Sequence, residues 1–365
     1  MIYPLLPLFL STVLGANASF IGAIEGAAES TAALLKLASG WWSDKVKKRK
    51  PLVVIGYGIA AIARPFTAIA QTAVQVLAIR VTDRVGKGIR TAPRDALLAD
   101  STDSESRGRA FGFHAAMDNA GAVLGPLIAF LLLRQFDFTL RHVFWLAAIP
   151  GALAFIVLVI AVKEVEQKQD SGTQAKIDTK AKLGKRFWMY IAVVFLFTLG
   201  NSTDAFLLLR ANQLGIAVAL APILWAFLNL VKAALGTWGG SLSDRFGRKP
   251  LIIAGWTVYA LVYLGFALAT KSWHAWALFG SYALFYAFTE GTEKAFVADL
   301  IPRERRGSAF GWFNLAIGLG ALPASLIFGA IWDRSGAHTA FLFGASLAIL
   351  ASVGMFFVAP ERAPA

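Results

Sequence analysis

The sequence predicts an all-helical integral membrane protein of two six-helix bundles, about twelve transmembrane helices with the first one incomplete. Three observations predict it. The 365 residues are 57% hydrophobic and only 16% charged, with a mean hydropathy of +0.61, more apolar material than one water-soluble core can hide. Apolar stretches recur at roughly 20 residues, the length a helix rising ~1.5 Å per residue needs to cross about 30 Å of hydrocarbon. The stretch GGSLSDRFGRKPLI, from Gly239 to Ile252, has a weaker copy, SGWWSDKVKKRKPLV, from Ser39 to Val53, and the offset from Asp44 to Asp244 is 200. Whatever architecture surrounds one copy should surround the other.

In chain order the spans fall at 1–14, 18–42, 51–70, 72–99, 108–133, 142–162, 187–213, 217–240, 251–270, 273–299, 308–332 and 338–359. The opening segment, ending Ala16-Asn17-Ala18, lacks the basic start of a signal peptide. The repeat offset aligns its Leu14-Gly15 with Leu214-Gly215 of the longer seventh span, so it reads as a first helix without its beginning. Runs such as Leu146 to Val162 show no alternation, which excludes a β-barrel. After a one-residue insertion in the first copy the offset becomes 199, where Ala99-Asp100 meets Ala298-Asp299 and RGRAFGF at Arg107 meets RGSAFGW at Arg306.

Lys and Arg concentrate in the connections Asp44 to Lys50, Asp100 to Arg109, Lys163 to Arg186, Asp244 to Lys249 and Pro302 to Arg306. By the positive-inside rule these loops and both termini are expected in the cytoplasm, with the chain in the plasma (inner) membrane. The polar run 163–186 is expected to be a cytoplasmic linker between bundles at 1–162 and 187–365. The net charge of +13 therefore reports topology, and no nucleic-acid partner is expected. With no cysteine and 4 scattered histidines no metal site is expected, and the absence of His-Glu-x-x-His, Gly-x-Ser-x-Gly and phosphate-loop motifs argues against an enzyme or an ATP-driven pump.

Two parallel six-span repeats suit a transporter with its site between the halves. The second copy of the repeated stretch, at Gly240, Leu242, Asp244, Arg245, Gly247, Arg248 and Lys249, resembles the loop motif Gly-x-Leu-x-Asp-Arg-x-Gly-Arg-Lys of the major facilitator superfamily. The first copy keeps Gly40 and Asp44 but has Trp42 for Leu and Lys47 for Gly. The resemblance implies close helix packing at the glycines and a charge latch that breaks and remakes between states. Arg80 to Gly88 resembles the family's Arg-x-x-x-Gly-x-Gly-x-Gly, with Arg84 at the first glycine position. Gly121, Gly125 and Pro126 match part of the antiporter motif Gly-x-x-x-Gly-Pro-x-x-Gly-Gly, while Ala129 and Phe130 depart from it. This resemblance is to the proton-coupled antiporter and exporter branch.

Intramembrane charges supply the remaining candidates, because each costs roughly 2.5–3.5 kcal/mol at a bilayer centre by insertion scales and must face water or a partner. Glu25, Glu29, Asp118, Asp204 and Arg80 are candidates for proton coupling; Arg84, Lys87, Arg90, His114, Arg210, Asn229 and Glu290 for a substrate cavity. For most of them structural ion pairing is the competing reading. Glu29 and Asp118 stand out: Glu29 aligns with Asn229 across the repeat, and Asp118 lies about one turn before Gly121. Asp83, Lys87, Arg90 and Arg94 form one stripe of the fourth span, where the excess of cations favours an anionic or zwitterionic solute. The expected function is proton-coupled efflux of an organic anion, zwitterion or drug-like compound by alternating access, as a monomer in the lipid bilayer, with no cofactor and a proton gradient as energy source. Uptake of an anionic metabolite and a non-transporting receptor on the same fold are the alternatives.

Overall fold

The computed structural model describes residues 5–6, 9–15, 18–46, 48–136, 138–164, 183–217 and 220–358, and every regular element among them is helical. We number the spans α1 to α12. α1 is the π-helical turn Phe9–Val13, and α2 is Ala18–Val46. α3 is Lys50–Ala63, extended by a 3₁₀ turn Arg64–Ala68. α4 is Ala73–Asp100, α5 is Arg107–Gln135, and α6 is the pair Leu140–Leu146 and Ala148–Ala161. In the second half α7 is the pair Lys185–Gly200 and Ala205–Gln213, α8 is Ala221–Phe246, α9 is Arg248–Leu268 and α10 is Ser272–Leu300. The last helical run, Arg306–Phe357, has 52 residues, which at ~1.5 Å each is more than twice a bilayer's hydrocarbon thickness. It turns at Gly336, whose φ of 82° only glycine adopts readily, and so supplies both α11 and α12. Most of the linker run 163–186, and Ala16, Asn17 and Lys47, lie outside the described residues.

Local chemistry fixes the ends. Thr72 caps α4 reciprocally with Gln75, each accepting the other's backbone N–H at 3.2 Å. Gly247, at φ 91°, makes the sharp turn from α8 into α9. Among the described residues five segments are long and apolar enough to cross a membrane by length and composition alone: Lys50–Ala68, Ser104–Gln135, Leu140–Ala161, Arg248–Leu268 and Arg303–Phe357. α2, α4 and α10 fall outside that set because they carry the charged residues of the interior, and they lie between other helices.

One difference from the sequence reading concerns α7, where 187–213 reads as a single span. The helix breaks between Gly200 and Ala205. The freed backbone groups find partners: the Gly200 carbonyl accepts from the Tyr259 hydroxyl at 3.0 Å, and the Thr203 amide donates to Ser325 Oγ at 3.3 Å.

Within the first bundle α4 is held between α2 and α3; in the second, α10 is held between α8 and α9. The halves meet through α2 on α11 and α5 on α8, which are the same contact under the repeat. Glycines permit it. A Cβ on Gly40 would strike the Gly307 carbonyl, and one on Gly240 the Gly108 carbonyl. Gly86 and Gly88 likewise seat α4 against α3 and α2, as the glycine motif of the fourth span implies.

Overpacking of this kind costs about 1–3 kcal/mol, so Gly40→Leu and Gly240→Leu should each depopulate the closed arrangement at this end by roughly tenfold to a hundredfold. The chain has no cysteine, so spin labels on Trp41→Cys and Glu304→Cys report the separation cleanly. The expected result is a shift to longer distances, and an unchanged distribution would contradict the packing account.

Candidate functional site

A helix begins with backbone N–H groups that have no intrahelical acceptor and with the positive end of its dipole. At the start of α11 these groups are satisfied from the opposite bundle. Asp44, at the end of α2, accepts from the Gly307 amide at 2.8 Å and from the Ser308 amide and hydroxyl at 2.6 Å. The repeat does the same in reverse: Asp244, at the end of α8, accepts from the Gly108 and Arg109 amides of α5 at 2.9 and 2.8 Å. Each copy of the motif therefore caps a helix of the other half.

Arginines tie the caps together. Arg49 reaches Asp44 at 3.5 Å, pairs with Asp100 and donates to the Arg303 carbonyl at 2.7 Å. Arg248 pairs with Asp244, reaches Asp299 at 3.1 Å and donates to the Ser104 carbonyl at 2.6 Å. Arg306 crosses to Asp100 at 2.7 Å, and its equivalent Arg107 crosses to Asp299. Burial pushes the Asp44 carboxyl up from its ordinary value, opposed by the Ser308 hydroxyl and amide, Arg49 and the Gly307 amide. Burial lowers Arg306, with Asp100 opposing. Both groups are charged out of water, and their donors and counter-charges compensate for it.

Sequence reasoning found Gly40, Asp44, Gly240, Asp244 and Arg248 in this network but missed Arg49, Asp100, Arg107, Asp299 and Arg306. Their signal was the register at offset 199, which retains an Asp and an Arg at each loop of the repeat. One correction follows. Arg245 is exposed over the Phe246 ring and takes no part in the latch, because Arg248 lies one turn from Asp244 and fills that role. The first latch is also as complete as the second, since Arg49 occupies the Arg248 position although the motif glycine is missing.

Deeper in the bundle, α4 and α10 meet at the ion pair Lys294–Asp95, 3.2 Å apart, with Asp95 1% exposed and also held by Arg94 at 3.0 Å. Asp95 and Lys294 are repeat equivalents. Beside them Asn119 of α5 donates to Glu290 of α10 at 3.5 Å. Two turns further from the latch, about 12 Å along the helix, α4 presents Lys87 and α10 the equivalent Tyr286. Here Glu29 of α2, 52% exposed, takes Arg84 at 2.9 Å and Lys87 at 3.5 Å. Nearer the Lys294–Asp95 pair, and within electrostatic reach of Arg94, Asp95 and Lys294, His114 of α5 lies 3.7 Å from Asp118, which is 68% exposed. On the other wall Asp204, at the α7 break, accepts from the Tyr282 and Tyr286 hydroxyls at 2.9 and 3.2 Å.

Other candidates are not brought to this place. Arg80 is buried and 3.7 Å from Asp83, three residues on in α4, which also takes Arg64 from the end of α3 at 2.8 Å, so the group is a structural ion cluster. The charged stripe of α4 splits, because α4 is sandwiched: Lys87 turns to α2, while Arg90 stacks over Tyr57 of α3 at 4.0 Å. Arg210 donates to the Phe266 and Ala269 carbonyls at 3.0 and 2.9 Å, capping the C-terminal end of α9. Asn229 is buried with its amide on the Trp225 carbonyl of its own helix at 2.9 Å. Gly121 has open space where a packed neighbour was expected, and α5 runs on through Pro126. The Glu25 side chain lies outside the described residues, and among the described residues no cluster suits a metal.

Comparison with known proteins gives one consistent result. The model of the Major Facilitator Superfamily matches residues 1–322 and 205–365. The chain is 34% identical to an MFS-type transporter of Methanocaldococcus jannaschii, over 98% of this chain and 90% of the relative. It is 24% identical to the quinolone resistance protein NorA of Staphylococcus aureus, over 91% and 86%. It is 32% identical to the multidrug resistance protein MdtH of Photorhabdus laumondii over only 32% and 29%. Its fold is similar to that of the proton:xylose symporter XylE, with a TM-score of 0.78 at 17% identity over 97% and 90% of the two chains. The human organic anion transporter MFSD10 gives 0.76 at 16% over 95% and 88%.

The pair between α4 and α10 generates an asymmetric prediction. Asp95→Asn strands Lys294, whereas Lys294→Met leaves Asp95 with Arg94. Thermal unfolding in detergent should show the first as the more destabilising, and a double-mutant cycle should give a coupling of about 0.5–3 kcal/mol. Additive effects would show that the two side chains do not interact.

Proposed function

Given that this chain belongs to the major facilitator superfamily and is a membrane transporter rather than an enzyme, we propose that it exports a small organic anion, zwitterion or drug-like compound by alternating access, driven by an inward proton gradient. Its bundles, 1–162 and 187–365, work against each other in the plasma membrane, with the basic loops, the linker 163–186 and both termini in the cytoplasm. The observation that carries this reading is the contrast along one axis. The motif end is sealed by the two crosswise caps, and α4 and α10 close on Asp95 and Lys294 below a zone where Glu29 and Asp118 stay exposed. That is the arrangement of a cavity open away from the basic loops. The resistance proteins among the relatives support efflux over uptake.

Glu29 and Asp118 are the proposed proton carriers, since each reaches the open zone and has a cation or imidazole beside it to which charge can be handed. In proteoliposomes with an imposed pH gradient, Glu29→Gln or Asp118→Asn should slow coupled efflux of a fluorescent dye by roughly tenfold, equal to about 1.4 kcal/mol. Wild-type rates in both variants would overturn the carrier assignment, and dye movement indifferent to the gradient would overturn the coupling.

A further inference from the structure

The wall contributed by the second bundle holds a carboxylate with unusual company. Asp204 sits where α7 breaks, and both its oxygens are occupied by phenols of α10, Tyr282 and Tyr286. Among the described residues no cation lies within ion-pair distance of it. The nearest positive charge is Lys232 of α8, whose ammonium stands 3.5 Å from the centroid of the Tyr286 ring and within electrostatic reach of Asp204. Tyr259 and Tyr263 stack at 4.1 Å behind, and Ser202 lies 3.3 Å from the Tyr263 hydroxyl.

A negative carboxylate beside aromatic faces is a receptor for an ammonium group, because the ring quadrupole and the charge act on a cation in the same direction. A phenol that donates to a carboxylate carries extra electron density in its ring, which strengthens that face. The group now resting on it is a primary ammonium on a flexible four-carbon stem, able to swing away. Lys232 has no charged equivalent in the first bundle, where the repeat places Ala32. Tyr286 does have one: Lys87, at the same depth on the opposite wall and 34% exposed. The two walls thus offer an anionic, aromatic surface and one on which Lys87 and Arg84 share the single carboxylate of Glu29, an excess of one cation.

We propose that Asp204 and Tyr286 form a subsite for the ammonium group of the transported solute, with Lys232 as a tethered occupant that the solute displaces. The anionic part of the solute then faces Lys87, which selects zwitterions among the classes named above. This rests on the reading that the zone between α4 and α10 carries the solute. If Lys232 were only a structural counter-ion to Asp204, removing it would weaken cation binding; as a tethered competitor, its removal strengthens it.

The full-length protein in lipid nanodiscs tests this by fluorescence anisotropy with three dyes: ethidium as a cation, fluorescein as an anion and a zwitterionic rhodamine. Lys232→Met and Lys232→Gln should tighten ethidium and rhodamine by roughly threefold to thirtyfold, the range of one cation–π contact. Asp204→Asn and Tyr286→Leu should weaken both dyes by a similar factor, with fluorescein changed less than twofold. Melting temperatures confirm that each variant is folded, and either member of a pair suffices. Wild-type binding with weaker or unchanged ethidium affinity on loss of Lys232 overturns the tethered-occupant assignment alone. Failure of the wild type to bind any of the three overturns the cavity reading and the subsite with it.

Discussion

The structure depends on a helix of one bundle being capped by a carboxylate of the other. Asp44 on α11 and Asp244 on α5 satisfy backbone donors that would otherwise be buried bare at the centre of the interface. That requirement propagates outward. The caps reach only if backbones approach closely, which demands glycine at 40, 108, 240 and 307. Burying the carboxylates demands counter-charges, which Arg49 and Arg248 supply, and these in turn are shared with Asp100 and Asp299. Opening this end uncaps two helices at once and returns their amides to water, so the closed and open arrangements are separated by a discrete set of bonds rather than by gradual loosening.

Above the latch the two walls are built differently from the same backbone plan. The first bundle packs small residues and spends its polarity on charge: Asp83 gathers Arg64, Arg80 and Arg84, and Glu29 gathers Arg84 and Lys87. The second bundle has an aromatic core in which Trp256, Tyr259, Tyr263 and Phe266 are fully buried, and its Asp204 is met by the hydroxyls of Tyr282 and Tyr286. A wall of fixed charges on one side therefore faces a wall of rings and phenols on the other. Trp256 donates to Glu293 at 2.9 Å, so even a carboxylate of this side is met by a neutral donor.

Much of this was legible in the sequence, for identifiable reasons. Span positions follow from hydrophobic length, which is a local quantity, and the repeat register at offsets 200 and 199 aligns the helices that later prove to make equivalent contacts. The break in α7 had a signal that the span reading passed over, the run of turn and cap residues Gly200-Asn201-Ser202-Thr203-Asp204 inside 187–213, while what stabilises the break, Tyr259 and Ser325, comes from other spans. Arg210 and Asn229 read as cavity residues because a polar group in a span demands a partner; that the partner is a helix-end carbonyl for one and its own helix for the other is a tertiary fact. The split of the α4 stripe has the same origin, since periodicity shows that Lys87 and Arg90 lie near one face but not which neighbour each edge of that face will meet.

The repeat also explains where the halves must differ. In a two-fold arrangement, a residue off the axis meets a non-equivalent residue, and the contact occurs twice. Such positions can stay identical: Arg107 meets Asp299 while Arg306 meets Asp100, with the same two residue types in both places. A residue on the axis meets its own equivalent. An apolar side chain tolerates that, and Phe111 lies against its equivalent Phe310 with ring centroids 5.9 Å apart. A charged one does not, because two like charges would face each other where little water screens them. Position 95 and its equivalent 294 are on the axis, and they are Asp and Lys. The neighbouring equivalents, Arg94 and Glu293, are also opposite in charge, with the signs exchanged between the halves. Divergence between the halves at this point is therefore a condition for joining them by charge, and it fixes the place where α4 and α10 close on each other.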